Sequence, residues 1–240
     1  MADNSLRMIL FAGAFAVSGI VAPVMAQEDT LIEAEQDLQR LNAVLIEAAA
    51  AGDQMAAARF IAHGADINAV LDGDGTALIA AARNGRQATV ASLIAAGADV
   101  NLASPGDGAP LIAAATVGHK SIVQRLLEAG ADVNLGSAGD GNALIKAAAG
   151  GHLDVMRTLL AAGADPNAIV PDDETPLINA AQSGQIEAVK LLVEEAGADA
   201  SLSVVANRPT GRQRRSPLSE AVRNNHQDIV DYLRSKGAQE

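Results

Sequence analysis

"GADIN" (Gly64–Asn68) returns down the chain as "GADVN" at Gly97, "GADVN" at Gly130, "GADPN" at Gly163 and "GADAS" at Gly197. The steps are 33, 33, 33 and 34 residues, and a last "GA" follows 40 residues on, at Gly237. A second marker keeps pace: "TALIAAARNG" from Thr76, "APLIAAATVG" from Ala109, "NALIKAAAGG" from Asn142, "TPLINAAQSG" from Thr175 and "SPLSEAVRNN" from Ser216. One further step back lies "AVLIEAAAAG" from Ala43. Self-similarity at a fixed period means that one small unit is stacked on copies of itself. The chain holds six such units, from Asn42 to the C-terminus.

The residues predict two helices per unit. Thr76, Asn142, Thr175 and Ser216 are N-cap residues, and Pro110, Pro176 and Pro217 stand at the first helical position. Gly52, Gly85, Gly118, Gly151 and Gly184 stop the first helix, where a left-handed residue is wanted; Asn225 takes that place in the last unit. The second helix carries an apolar stripe, Ile122, Val123, Leu126 and Leu127 in unit three and Val155, Met156, Leu159 and Leu160 in unit four. Paired alanines such as Ala81 with Ala82 let helices approach closely.

A period of 33 with "TPL…AA" and "GADVN" resembles the ankyrin repeat. The resemblance covers almost the whole chain after residue 42. It implies an all-α fold, a six-repeat solenoid of antiparallel helix pairs with β-turn fingers between units and a concave groove formed by the fingers and the first helices. The family usually has His after the Leu of "TPL", bonded to neighbouring backbone. Here Ile46, Ile79, Ile112, Ile145 and Ile178 stand there, so apolar packing is expected in place of an inter-repeat His network. The "GDG…LI" variant is similar to repeats of exported bacterial envelope proteins, including extensions on membrane metallopeptidase sensors.

An array must close its ends. In the column Ile61, Ile94, Leu127, Leu160, Val193 unit six has Arg234, and in the Ile column it has Ser219, so its outer face is expected to meet water. At the other end, residues 27–41 read as a capping helix with Leu31, Leu38, Leu41 and Leu45 on one side; a flexible acidic leader is the alternative. Unit one has no capping side chain at Ala43, so its helix is expected to run on from that segment. Residues 1–26 read as a signal peptide: Arg7, an apolar run from Met8 to Val21, then Val24 and Ala26 before the cleavage point. An uncleaved anchor is the alternative, but the run falls short of the ~20 residues of a spanning helix. Export in a Gram-negative cell places the protein in the periplasm, with no membrane insertion after cleavage.

Composition excludes several functions. The 240 residues carry a formal charge of −12 and a pI near 4.7, which argues against nucleic acid. No Cys is present, so disulfides and thiol chemistry are out. Asp74, Asp107, Asp140 and Asp173 form an acidic column in the fingers. One "GDG" offers too few oxygens for calcium, and neighbouring units stack about 10 Å apart, so the column reads as turn structure. His119, His152 and His226 follow the helix-ending Gly or Asn, and His63 can meet helix carbonyls; no two have metal-ligand spacing. No nucleophile elbow, zincin or phosphate-loop motif occurs. The expectation is no enzyme, no cofactor and no metal.

What remains is a surface. Arg83, Thr116, Lys146, Asn179, Gln182 and Arg223 are mapped to the first-helix side and vary from unit to unit, which marks candidate partner contacts; neutral drift at solvated positions is the alternative. The last finger is seven residues longer than the others and carries Arg208, Arg212, Arg214 and Arg215, four of the chain's 17 basic residues. It reads as a partner-binding spot for an acidic segment of another protein, or as a solvated loop against its own acidic neighbours. The protein is expected to be monomeric. Exchanging Arg212, Arg214 and Arg215 for Ser is expected to leave thermal unfolding almost unmoved, as exposed pairs contribute under ~1 kcal/mol.

Overall fold

A computed structural model describes residues 21–137, 139–170, 174–208 and 211–239, with side chains from Ala34 onward except at 206–212. The chain divides into two compact parts, 1–40 and 41–240. In the first, helix α1 is described from Val21 and its residues 34–40 are all exposed. Leu38 is therefore in solvent, while Leu31 lies outside the described side chains. Most of the expected signal peptide also lies outside the described residues. No helix among the described residues is long and apolar enough to cross a membrane.

The second part contains the six units. α1 runs without a break to Ala51, so unit one takes its first helix from a longer one, in keeping with the missing cap at Ala43. The other first helices are α3 (Ala77–Arg83), α5 (Pro110–Val117), α7 (Ala143–Ala149), α9 (Pro176–Gln182) and α11 (Pro217–Arg223). The second helices are α2 (Gln54–Ala62), α4 (Gln87–Ala95), α6 (Lys120–Glu128), α8 (Leu153–Ala161), α10 (Ile186–Lys190) and α12 (Gln227–Ser235). First helices α3, α5, α7, α9 and α11 pack on one another in sequence order, and among second helices α2 packs on α4, α4 on α6, α6 on α8 and α10 on α12, giving two helical layers. Among the described residues, strands occur only in fingers: β1 (Gly136–Ser137) with β2 (Gly141–Asn142), and β3 (Val204–Arg208) with β4 (Gly211–Arg215).

Local chemistry sets the helix ends. The Oγ1 of Thr76 and Thr175 and the Oδ1 of Asn142 accept the N–H of Ile79, Ile178 and Ile145. Ser216 and Ser219 close a reciprocal capping box at 2.9 and 3.1 Å. Ala109 has no capping side chain, and Pro110 alone starts α5. Gly118 ends α5 at φ 79°, and Asn225 holds the equivalent place at φ 61°. Asn tolerates that region better than other residues with a Cβ.

The core is thin and continuous from Leu45 to Ala238. The paired alanines are fully buried, as are Ile79, Ile112, Ile145 and Ile178; Ile79 and Ile112 lie against Gly75 and Gly108 of their own fingers. Arg234, in the last unit, is exposed. The 34-residue step also has a cause. Its extra residue lies in Leu191–Glu195, which winds as a π-turn and so absorbs an insertion inside a helix.

Polar ladders tie unit to unit. The Asn of each "GADxN" accepts the Asp N–H of the next: Asn68 from Asp99, Asn101 from Asp132, Asn134 from Asp165, Asn167 from Asp199, at 2.8 to 3.0 Å. Unit one has no preceding unit, and Asn42 of α1 takes the missing role, accepting from Asp66 at 2.8 Å. A second ladder runs behind the first helices. The Nε2 of His119, His152 and His226 meets the carbonyl of Arg83, Thr116 and Gln182 in the unit before, at 3.1 to 3.2 Å. Arg86 Nε does the same to Ala50 at 2.8 Å. The expectation that apolar packing would replace a His network is thus corrected: the isoleucines pack, and the histidines bridge units from another column.

Candidate protein-binding surface

The fingers are tight turns before anything else. Asp74, Asp107 and Asp140 donate their N–H to the carbonyl three residues back, at 2.9 to 3.1 Å. Asp107 also reaches across to the preceding unit, where its Oδ1 pairs with Arg83 Nη2. Asp140 Oδ2 accepts from Ser137 at 3.1 Å, and Asp173 lies outside the described residues. Among the described residues no cluster of three or more His, Asp or Glu could hold a metal.

The last finger is a β-hairpin. Its register pairs Val204 with Arg215, Val205 with Arg214, Ala206 with Gln213, Asn207 with Arg212 and Arg208 with Gly211. Side chains alternate across a strand, and the two faces differ. Val204 and Arg215 are buried, whereas Val205 is 61% exposed and Arg214 is exposed. Arg214 Nη1 lies 3.5 Å from Ser203 Oγ, a weak contact.

Arg215 corrects the sequence reading, which offers it as a partner contact or as part of a solvated loop: it is buried. Its Nη1 bonds to Glu174 Oε1 of unit five and its Nη2 to Glu220 Oε2 of α11. Burial works against its charge, but the hydrogen bond to Glu220 and the nearby Glu174 carboxylate more than offset this, and the guanidinium is held above its ordinary range. The physical reason is register: Arg215 immediately precedes the Ser216 cap, so it lies at the root of the finger and faces inward. Arg223 Nη1 reaches Glu220 Oε1 at 2.9 Å, and its Nη2 lies 3.4 Å from Gln213 Oε1. Hairpin, unit five and unit six are thereby joined at one point.

The other candidate positions form rows along the first helices and do not converge. Arg83 is half-buried and paired to Asp107. Thr116 is exposed, its hydroxyl turned back to Ile112 O at 2.8 Å. Lys146, Asn179 and Gln182 are half-buried; Asn179 Nδ2 bonds to Thr175 O at 3.2 Å. Ala80, Ala113 and Glu220, on the same face, are buried and cannot touch a partner. The side chains of Arg208 and Arg212 lie outside those described; their backbones are in the ladder. The fingers also expose single apolar residues the sequence reading passes over, Val70 and Ile169 at equivalent positions and Val205 in the hairpin. An apolar residue displaced to a finger tip between core markers is the available signal.

The family described as ankyrin repeats (3 copies) matches residues 45–137, 90–170 and 144–240. The chain belongs to the ankyrin-repeat family. The ankyrin repeat domain of human ASB11 is similar in structure, with a TM-score of 0.68 at 30% identity, covering 81% of this chain and 84% of that one. No curated protein matches. Ankyrin repeats in general are non-catalytic scaffolds that mediate protein–protein interaction; in this array the last finger and the first-helix rows carry side chains that differ from unit to unit.

Proposed function

We propose that this ankyrin array is a non-catalytic protein-binding scaffold of the cell envelope. It is exported by residues 1–26, works as a monomer in the periplasm, and receives an acidic segment of another protein at the last finger. One observation carries the reading: an otherwise acidic chain extends a basic hairpin whose inward Arg215 is locked and whose outward Arg214 and Val205 are open. Arginine beside exposed apolar surface, on a preformed element, is what a protein-binding patch needs. Arg223 on the rim and the half-buried Lys146, Asn179 and Gln182 extend the contact along the first helices, with Arg83 and Thr116 further out.

The test leaves the anchor intact. Arg208, Arg212 and Arg214 changed together to Ser should weaken capture of the envelope partner most at low salt, with the melting temperature unchanged. Equal capture by both proteins at low ionic strength would remove the finger from the interface. Osmotic-shock fractionation with N-terminal sequencing checks export; a mature chain beginning at Gln27 is expected.

A further inference from the structure

We propose that the last finger takes its acidic partner as an added β-strand along a free edge of the β3–β4 hairpin, an inference that rests on the reading above. The hairpin has five residues in each strand and, among the described residues, no third strand. In an antiparallel pair, bonded and non-bonded positions alternate, so every second residue turns its N–H and C=O away from its partner. Among the described residues none of these backbone groups bonds to the backbone of another element. An exposed ladder edge is a template for another extended chain.

Charge decides which chain. From Ala200 to Ser219 there is no Asp or Glu, while Arg208, Arg212, Arg214 and Arg215 all fall there. Pairing with the same hairpin of a second copy would set like charges opposite each other, which destabilises a ladder. A strand with a carboxylate at every second residue would instead line its acids beside Arg214, with its intervening residues on the other face. The template is also preformed. Arg215 is held by Glu174 and Glu220, and Val204 is buried, so little ordering is left to oppose binding.

The experiment is calorimetry at low salt with the peptide Ac-Glu-Val-Glu-Thr-Glu-Val-Glu-Thr-amide, a strand of ordinary length. Two further peptides carry N-methyl groups on alternate amides, one set for each edge. One N-methylated peptide should bind roughly tenfold or more weakly and the other unchanged, because only one edge of an added strand meets the hairpin. A composition-matched peptide with its acids in adjacent pairs should also bind more weakly. If both N-methylated peptides bind as the parent does, strand addition is wrong even where charge still matters. Arg214→Glu separates the two failures. It should weaken the parent peptide roughly tenfold; no change in a folded Arg214→Glu protein sinks the basic-finger reading itself.

Discussion

Arg215 and Glu174 stand at the same register position of consecutive units, each immediately before a helix cap, and their side chains meet in the interior. Three earlier units have Gly there, at positions 75, 108 and 141. A Cβ at Gly108 would lie 3.0 to 3.2 Å from Ile112. Unit six has Ser219 in that Ile column, which removes those methyl groups from beneath Arg215. A column that is apolar and featureless elsewhere thus becomes a charged lock where the array ends and the finger lengthens.

Arg215→Ser is predicted to destabilise the array by about 3–5 kcal/mol, because it leaves Glu174 and Glu220 buried without the cation between them. Arg214→Ser should stay within about 0.5 kcal/mol, as an exposed change does. Urea unfolding of the two single variants checks this. The triple exchange to Ser expected from sequence to be silent is therefore expected to be costly, and Arg215 alone should account for it.

The Asn ladder gives a second, graded prediction. Asn101→Ala removes the acceptor for Asp132 N–H at an exposed site, where water substitutes, and should cost about 0.5–1.5 kcal/mol. Asn42→Ala does the same to Asp66 N–H at a buried side chain and should cost more, about 1–3 kcal/mol. Thermal denaturation of the pair decides it. An effect at Asn42 smaller than at Asn101 would mean that α1 does not stand in for a preceding unit.

Much of this is legible in the sequence because it repeats. Thr76, Asn142, Thr175 and Ser216 cap as their positions require, and Asn225 is left-handed where five glycines set the pattern. Arg215 is not legible, because the insertion hides its column. Counted forward from Gly197 it falls in a loop; counted back from Ser216 it falls on Gly75 and Glu174. Asp107 reads only as a turn residue, since nothing in its own unit shows that Arg83 lies a unit away. The histidines read as ordinary for their position, and their inter-unit bonds emerge only once the units are stacked.

Gly130→Val tests the backbone. Gly130 closes the second helix of unit three at φ 89°, and a Cβ there would meet nothing within 4 Å. Any loss is therefore conformational. A left-handed residue with a Cβ costs roughly 1–2 kcal/mol, and β-branching adds to it. Gly130→Asn should lose least and Gly130→Val most, in urea midpoints. Equal midpoints for Gly, Asn and Val would mean the φ constraint is not what holds that corner.

The π-turn in unit five sends adjacent carboxylates to opposite neighbours. Glu195 takes Arg157 of unit four at 3.0 and 3.1 Å, while Glu194 Oε1 accepts from Tyr232 Oη and Lys236 Nζ of unit six, both at 3.0 Å. Burial, then the hydrogen bond to Glu194 and its negative charge, push the Tyr232 hydroxyl up to about 12 from an ordinary 10.0. Between those values the folded chain keeps a proton that the unfolded chain has lost, so stability falls as pH rises across that window. Glu194 has the opposite sign: held low by Lys236 and then Tyr232, its contribution is present above the ordinary carboxylate range and lost as pH falls through its lowered value. Tyr232 is the only tyrosine in the sequence, so its phenolate absorbance is read without overlap. Glu194→Gln should move the midpoint down from about 12 toward 10.0, leaving the part due to burial. A titration identical in both proteins, each shown folded by circular dichroism, would break the link between the π-turn and unit six.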